Sequence, residues 1–269
     1  MEKTLKKVTP HALRAMKGAG KIAALTAYDA QTAGFLDEAG VPFILVGDSV
    51  GTTQLGYDST IPVTLEDMIR HTAAVVRGTK RALVVADMPF MTYQVSVKQA
   101  LRNAGRLVQE SGCDAVKLEG GSLREPTVRA LVGNGIPVCA HIGLTPQSVK
   151  EIGLRVQGRG EEAAAKLLED ALALEEAGAF AVVLEGIPAP LAAKITAAVK
   201  IPTIGIGAGA ACDGQILVIS DVLGLGGAYH PKFAKCYADV GSIIRDAAAA
   251  YRSEVESGAF PDDAHSYLS

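Results

Sequence analysis

Cysteine is scarce in this sequence, and the few that occur form no recognisable motif. The four are scattered, with no C-x-x-C pair among them. This spacing excludes a zinc ribbon and a disulfide framework, and it favours a reducing compartment. Runs of basic residues are also missing, and the formal net charge is -3. Without a positive patch we expect no nucleic-acid or membrane partner, and the substrate should be a small molecule.

Long apolar runs are missing too. No stretch reaches the roughly 18 consecutive apolar residues that indicate a transmembrane helix. Residues 1–7 are charged but no apolar segment follows them, so no signal peptide is predicted. What is present is an ordinary globular composition over 269 residues, 49% hydrophobic and 20% charged, which suffices for one large core. We expect a cytoplasmic enzyme with a single catalytic domain over residues 1–269.

Five short apolar runs each lead into a polar side chain. Such runs, rich in branched residues, are typical of fully buried parallel strands. The polar residues that end or follow them are Asp48, Asp87, Glu119, His141 and Glu185. In a parallel α/β fold the carboxyl ends of the strands lie on one face, so these side chains should converge. The pattern predicts an active site at that face.

The order of the elements indicates one barrel. Seven or eight strand–helix units of fairly even length follow one another without a linker. No G-x-G-x-x-G motif follows the first strand, so a (β/α)8 TIM-type barrel explains the chain better than two Rossmann halves. A short helix within 9–20 should precede the barrel. The eighth strand is expected within 215–220 and the last helix over 240–257.

Two sequence patterns indicate where helices begin. Residues 64–67 and 96–99 each resemble a capping box, and the helices that they start should end near residues 77 and 112. His71 lies on the first of these helices and is expected to be solvated. The preceding loop, 50–62, is longer than most βα connections and is typical of a lid without secondary structure of its own.

Asp48, Asp87 and Glu119 form the strongest candidate for a metal site. Three carboxylates on adjacent strands of a barrel would repel one another unless a cation or a proton holds them together. A purely oxygen ligand set suits a hard ion, most naturally Mg²⁺, completed by water and substrate oxygens. The alternative is that one or more of the three caps a helix N-terminus.

Lys117 lies two residues before Glu119, so both side chains point to the same face of their strand. It is either an ammonium anchor for a substrate anion or a Schiff-base nucleophile, and an adjacent carboxylate favours the anchor. A structural ion pair with Glu119 is the alternative. His141 is an oxyanion donor, a ligand, an acid or base, or a satisfied core histidine. Glu185 is the best candidate for a free carboxylate base.

A glycine-rich segment, 205–209, follows the seventh predicted strand. Barrels often build a phosphate site at that place. The alternative is that the glycines only relieve crowding at the barrel mouth.

Several longer motifs occur together along nearly the whole chain, and they resemble those of the ketopantoate hydroxymethyltransferase (3-methyl-2-oxobutanoate hydroxymethyltransferase) family. The segments 51–57 and the C-terminal tail are less typical. The motifs that carry the resemblance are Thr26-Ala27-Tyr28-Asp29, Val46-Gly47-Asp48-Ser49, Asp58-Ser59-Thr60-Ile61-Pro62-Val63-Thr64, Asp87-Met88-Pro89-Phe90, Val116-Lys117-Leu118-Glu119-Gly120, His141-Ile142-Gly143-Leu144-Thr145-Pro146-Gln147-Ser148, Val156-Gln157-Gly158-Arg159, Leu184-Glu185, Gly205-Ile206-Gly207-Ala208-Gly209, Cys212-Asp213-Gly214-Gln215 and Pro231-Lys232-Phe233-Ala234-Lys235.

The resemblance implies a barrel of the phosphoenolpyruvate/pyruvate group that acts in pantothenate and coenzyme A biosynthesis. Such an enzyme moves a one-carbon unit from 5,10-methylenetetrahydrofolate to 3-methyl-2-oxobutanoate through a Mg²⁺-stabilised enolate, giving 2-dehydropantoate. It also implies a homo-oligomer, in this family a decamer built as a pentamer of dimers. At matching positions it implies Mg²⁺ binding by Asp48, Asp87 and Glu119, keto-acid binding by Asp48, Ser49, Asp87 and Lys117, and proton abstraction by Glu185.

Two other functions stay open. The first is a carbon–carbon or phosphorus–carbon lyase of the neighbouring barrel group, which would use the same metal and enolate but no folate. The second is a barrel that binds a ligand without chemistry. Five polar strand ends argue against the second function, and a turnover assay with keto acid, folate donor and Mg²⁺ separates all three.

Overall fold

The computed structural model describes residues 6–226 and 231–267. Eight parallel strands form a closed barrel, each paired with the next along the chain, and the eighth pairs with the first. The predicted (β/α)8 barrel is therefore confirmed, although the eighth strand ends three residues earlier than predicted. The strands are β1 Ile22–Thr26, β2 Phe43–Val46, β3 Leu83–Asp87, β4 Ala115–Glu119, β5 Val138–Gly143, β6 Ala181–Glu185, β7 Thr203–Ile206 and β8 Gly214–Leu217.

Helices connect most of the strands. The predicted last helix, 240–257, is confirmed, and the leading helix is shorter than the predicted range. The α-helices are α1 Pro10–Ala15, α2 Ala30–Glu38, α3 Val50–Thr53, α4 Leu65–Gly78, α5 Val97–Arg106, α6 Glu125–Gly133, α7 Val149–Ile152, α8 Glu161–Glu176, α9 Ala189–Ala198, α10 Ile219–Leu223 and α11 Val240–Ser257. A π-helical segment, Leu107–Ser111, continues α5, and 3-10 turns occur at Ser122–Arg124, Pro146–Ser148 and Asp263–His265.

The two predicted capping boxes turned out differently. At the start of α4, the Thr64 side chain accepts from the Asp67 backbone and the Asp67 side chain accepts from the Thr64 backbone, so this box is complete. At the start of α5, only the Ser96 side chain accepts a bond, from the backbone N–H of Gln99. The Gln99 amide donates instead to the carbonyl oxygen of Met91 at 3.1 Å. The second box was therefore half right.

The barrel interior is a continuous apolar core. Successive side chains of a strand point to opposite faces, so every second residue of each strand faces inward. At the end where the strands begin, Val8 and Leu13 from the N-terminal segment join Phe180 in the same cluster. The leading helix therefore closes that end of the barrel with apolar side chains.

The outer face of β1 and β8 differs from that of the other strands. The outward-facing side chains of β2 to β7 are buried, whereas Ala23 and Gln215 are exposed and Leu25 and Leu217 are half-buried. Only residues 207–213 connect β7 to β8, and they contain no helix. The outer face of β1 and β8 is therefore more exposed than that of the other strands.

The glycines at the end of β7 relieve crowding. A Cβ at Gly205 would lie 2.9 Å from the Cys212 sulfur, and one at Gly209 would lie 2.5 Å from the Ala189 Cβ. Since β7 is followed by β8 with no helix between them, the segment offers no helix N-terminus to a phosphate. The glycines of 205–209 therefore fit the alternative in which they relieve crowding at the barrel mouth.

The loop 50–62 is more ordered than predicted. It begins with the helix α3, and the Tyr57 N–H donates to the Gly51 carbonyl at 2.8 Å. Gly51 is buried, and a Cβ there would lie only 2.6 Å from the Val63 side chain. The prediction of a loop without secondary structure was therefore wrong, because short-range hydrogen bonds and close packing hold its first part.

The chain divides into two compact units, one ending at Val218 and the other starting at Ile219. The second unit contains α10 and α11, and within it the Tyr251 and Phe260 rings lie 5.7 Å apart. The prediction of a single domain over 1–269 stays a prediction. In the part of the chain that the structure describes, no helix combines the length and the apolar character needed to span a membrane.

Candidate active site

The polar strand ends converge at one end of the barrel. Asp87, Lys117, Glu119 and His141 are all buried there, at 2–4% exposure, and Asp48 directly follows β2 at 4%. Strand register places Asp87 opposite Lys117, and Glu119 opposite His141. Interior positions of parallel strands at the same level necessarily meet, which is why the pattern in the sequence could predict this cluster.

Each of the three carboxylates has one oxygen held by an N–H donor. Asp87 Oδ2 accepts from the Asp48 backbone at 2.9 Å, and Glu119 Oε2 accepts from the Gln147 backbone at 3.1 Å. Asp48 Oδ2 accepts from Gln147 Nε2 at 2.9 Å. In residues 6–226 and 231–267, none of the three caps a helix, so the capping alternative was wrong. This leaves the second oxygen of each carboxylate able to contact a cation.

Lys117 occupies the space between two of the carboxylates. Its Nζ lies 3.0 Å from Asp87 Oδ1 and 3.9 Å from Glu119 Oε1. Burial by itself would lower the pKa of Lys117, but the charges of Asp87, Glu119 and Asp48 raise it overall. Lys117 is therefore an ammonium, and Asp87 is a closer partner than the Glu119 that the sequence indicated.

The carboxylates experience different electrostatic environments. Burial raises the pKa of Asp48, and the charges of Asp87 and Glu119 raise it further. Burial also raises the pKa of Asp87, although Lys117 opposes that shift. For Glu119 burial is outweighed by His141 and Lys117, which bring its pKa below the ordinary value. An added cation would therefore stabilise the ionised forms of Asp48 and Asp87.

The donor chemistry of this cluster fits a hard divalent cation. Oδ1 of Asp87 is buried without an aligned hydrogen bond, although Lys117 pairs with it. Among the described residues, no three His, Cys, Asp or Glu side chains already converge closely enough to ligate one metal ion. Mg²⁺ usually takes one or two protein carboxylates and completes its shell with water and substrate oxygens. One or two of Asp48, Asp87 and Glu119 could supply such carboxylates.

His141 joins the carboxylate cluster to Glu185. Its Nδ1 lies 3.1 Å from Lys117 Nζ and 3.5 Å from Glu119 Oε1, and its Nε2 lies 3.2 Å from Glu185 Oε2. Burial and Lys117 both oppose protonation, but Glu119 and Glu185 outweigh them and raise the pKa of His141 to about 9. A protonated ring faces both carboxylates, and a neutral ring accepts from Lys117 at Nδ1. In either state the Nε2 proton faces Glu185, although that contact is poorly aligned as a hydrogen bond.

Glu185 is the most accessible carboxylate of the group. Its side chain is 16% exposed, against 3% for Asp87 and Glu119. The neighbouring strand approaches it closely at Gly143, which has φ +97°, and a Cβ there would lie 2.2 Å from the Glu185 carbonyl oxygen. A glycine is therefore required beside the Glu185 backbone. The greater exposure of the Glu185 side chain places its carboxylate at the edge of the cluster.

Ser49 lies beside this cluster, and the structure shows its support. Its hydroxyl lies 2.8 Å from the hydroxyl of Tyr28, a residue that is 2% exposed. The carbonyl oxygen of Tyr28 in turn contacts His71 Nδ1 at 2.7 Å. His71 is half-buried and bonded, so the prediction that it is solvated was wrong.

Two residues of the site had no predicted role. Gln147, in the turn after β5, bonds to both Asp48 and Glu119. Tyr93, in the loop after β3, donates to Gln147 Oε1 at 2.7 Å. Gln147 lies in one of the motifs that carry the family resemblance, but the motif assigned it no role, and Tyr93 is only a polar residue in a loop that follows a strand. Only the folded structure shows that both are buried against the carboxylates.

Comparisons with known proteins agree with this geometry. Residues 7–263 match the family of ketopantoate hydroxymethyltransferases. The chain belongs to this family. A relative from Syntrophus aciditrophicus, named 3-methyl-2-oxobutanoate hydroxymethyltransferase, is 56% identical over 98% of this chain and 97% of its own. A relative of the same name from Dehalococcoides mccartyi is 61% identical over 90% of this chain and 86% of its own. The predicted membership of the ketopantoate hydroxymethyltransferase family is confirmed.

Solved structures with little sequence similarity to this chain share its fold. A 2,3-dimethylmalate lyase of the PEP mutase/isocitrate lyase superfamily aligns with a TM-score of 0.61 at 18% identity, over 96% of this chain and 91% of its own. A phosphonopyruvate hydrolase aligns with a TM-score of 0.60 at 14% identity, over 97% and 92%. These likenesses show the barrel fold, and the predicted assignment to the phosphoenolpyruvate/pyruvate group stays a prediction.

Proposed function

We propose that the protein transfers a hydroxymethyl unit from 5,10-methylenetetrahydrofolate to 3-methyl-2-oxobutanoate. The product would be 2-dehydropantoate, in the biosynthesis of pantothenate and coenzyme A. One observation carries the proposal beyond the names of the relatives. It is the set of buried carboxylates around the Lys117 ammonium, with the more exposed Glu185 carboxylate at its edge.

Charge explains how this cluster suits a 2-oxo acid. Asp48, Asp87 and Glu119 bring three buried carboxyl groups, and Lys117 is the cation between Asp87 and Glu119. A keto acid adds a further negative charge, so an additional cation is needed for binding. Mg²⁺ held by Asp48, Asp87 and Glu119 would supply that charge and would acidify the C–H next to the keto group. Lys117 then anchors the substrate anion, next to Ser49 at the end of β2.

Glu185 is the proton acceptor in this proposal. It is the least buried of the site's carboxylates, and His141 is its closest charged neighbour at 3.2 Å. A carboxylate bound to a metal would be a poor base, so Glu185 is not assigned as a ligand. Its carboxylate removes the proton from the substrate carbon, and the His141 ring lies beside it. The carbanion that results forms a bond to the methylene carbon of the donor. The bonds from that carbon to the folate nitrogens break, water supplies the hydroxyl group, and tetrahydrofolate leaves.

The deciding experiment is a turnover assay with the keto acid, the folate donor and Mg²⁺. We expect 2-dehydropantoate to form only when all three are present, and we expect EDTA to stop the reaction until Mg²⁺ is restored. Full activity in chelator would contradict the metal assignment. Cleavage of a four-carbon or five-carbon 2-oxo acid without folate would favour a lyase of the same barrel group.

We further propose that the enzyme is a cytoplasmic homo-oligomer, for which the family suggests a decamer built as a pentamer of dimers. All four cysteines are free thiols, which fits a reducing compartment. The helix α11 has no buried residue, and Ile243, Ile244 and Tyr251 along it are 64%, 55% and 59% exposed. Exposed apolar stripes of this kind usually mark an interface, here with a second copy of the chain.

Light scattering tests the assembly. Ile244→Asp should lower the measured mass by disrupting the apolar stripe of α11. Ser253→Asp, on the opposite side of the same exposed helix, is the matched control and should leave the mass unchanged. A wild-type mass equal to that of one chain would contradict the proposal.

A further inference from the structure

Gln147 makes more hydrogen bonds within the site than any residue with a predicted role. It lies in the 3-10 turn that follows β5 and is 4% exposed. We infer that Gln147 is a positioning residue, which orients the carboxylates of Asp48 and Glu119 so that they can hold the keto acid and its cation. This inference rests on the proposed function and adds the group that sets the geometry of its binding site.

The Gln147 side-chain amide has all its bonding groups engaged. Nε2 donates to Asp48 Oδ2 and to the Met88 carbonyl oxygen, both at 2.9 Å. Oε1 accepts from the Tyr93 hydroxyl at 2.7 Å and from Gln94 Nε2 at 3.1 Å. Reversing the amide would place Oε1 against two acceptors and Nε2 against two donors. The surroundings therefore admit one orientation, in which the donors face Asp48.

The backbone of Gln147 holds a second carboxylate. Its N–H donates to Glu119 Oε2 at 3.1 Å. Tyr93, which is 1% exposed, strengthens this connection because its hydroxyl also accepts from the Glu119 backbone at 3.1 Å. Gln147 thus bonds to Asp48, which lies 99 positions away in the chain. Tyr93 bonds to Glu119, which lies 26 positions away.

A neutral amide suits this position for an electrostatic reason. It fixes one oxygen of Asp48 and one of Glu119 without adding charge, so the second oxygen of each can meet a cation. A carboxylate in its place would repel Asp48, and an ammonium would compete with Mg²⁺ and Lys117.

Three variants test this role. Gln147→Met keeps the length of the side chain and removes its hydrogen bonds. Tyr93→Phe keeps the ring and removes only the hydroxyl that bonds to Gln147. The double variant completes a mutant cycle, in which residues that act through one another give non-additive effects. Gln109→Met is the matched control, because Gln109 is exposed in the π-helical segment that precedes β4.

The readout is the Kd of 3-methyl-2-oxobutanoate in Mg²⁺, measured by calorimetry well below the unfolding temperature. Gln147→Met should weaken binding roughly ten- to a hundredfold, the usual effect of losing a hydrogen bond to a charged group. Tyr93→Phe should weaken it less, and the double variant should weaken it by less than the sum of the two single effects. Circular dichroism confirms folding, and Tyr93→Phe decides the question if Gln147→Met does not fold.

Two results would overturn the inference. The first is an unchanged Kd in folded Gln147→Met, or in Tyr93→Phe if Gln147→Met does not fold. The second is a crystal structure of the same folded variant in which Asp48, the carboxylate that the Gln147 side chain holds, keeps its wild-type rotamer. The crystallographic result stands whatever the substrate is. Failure of the wild-type protein to bind the keto acid would count against the proposed function alone, and displaced carboxylates in the variant would still support the positioning role.

Discussion

The two ends of the barrel have opposite chemistry. At the end where the strands begin, Val8, Leu13 and Phe180 close the interior with apolar side chains. At the end where the strands finish, Asp87, Lys117 and their neighbours bury charges at a few per cent exposure. Burying apolar surface stabilises the fold, whereas burying charges costs free energy unless each is paired. The comparison indicates that the first end supplies stability and the second supplies function.

The largest expected effect is at the charged end. Glu185→Gln keeps the shape of the side chain and removes its basicity. We expect binding of Mg²⁺ and keto acid to stay nearly normal while turnover falls by about 10² to 10⁴, the usual contribution of a general base. Exchange of the proton next to the keto group for deuterium, followed by NMR in heavy water, measures the step directly. Undiminished exchange in the variant would move the base elsewhere, with His141 the next residue to test.

Lys117 should show a smaller effect, on binding rather than on the chemical step. Lys117 is expected to be an ammonium anchor beside Asp87. Lys117→Ala should therefore raise the Kd of the keto acid roughly ten- to a hundredfold. Borohydride added with the keto acid should trap no covalent adduct. An adduct detected by mass spectrometry would instead show that Lys117 is a Schiff-base nucleophile, which needs no metal.

The apolar end should respond in stability alone. Leu13 is fully buried in the cluster that closes the barrel, so Leu13→Ala should lower the free energy of unfolding by about 2 to 5 kcal/mol. Urea denaturation measures the change. Leu123→Ala, at a position 77% exposed, is the control and should change stability by less than about 0.5 kcal/mol. An unchanged free energy of unfolding in Leu13→Ala would contradict the comparison. A loss of kcat in the folded variant would contradict it as well.

The smallest effect concerns the thiols, which neither end uses. Burial raises the pKa of Cys113 to about 11 and that of Cys139 to about 12, so both are protonated and unreactive at neutral pH. Cys236 is exposed. We therefore expect iodoacetamide to modify one thiol per chain rapidly and four after denaturation without reductant. Mass spectrometry counts them, and fewer than four would indicate a disulfide.

Much of the fold and part of the site could be predicted from the sequence. Short continuous apolar runs mark the strands, and their polar ends identified Asp48, Asp87, Glu119, His141 and Glu185 as one group, because a closed parallel barrel brings strand ends together. The complete capping box that starts α4 was predictable for a similar reason, since its bonds join residues three apart. Local patterns and the regular geometry of the barrel therefore carried these predictions.

The remaining features were decided only by tertiary structure. That Lys117 pairs most closely with Asp87, that Tyr28 supports Ser49, and that Gln147 bonds to Asp48 all depend on side chains far apart in the chain. No periodicity records such contacts, because each is one of many sterically allowed pairings. Side-chain hydrogen bonds across the barrel mouth, rather than strand propensity, set the final geometry of the site.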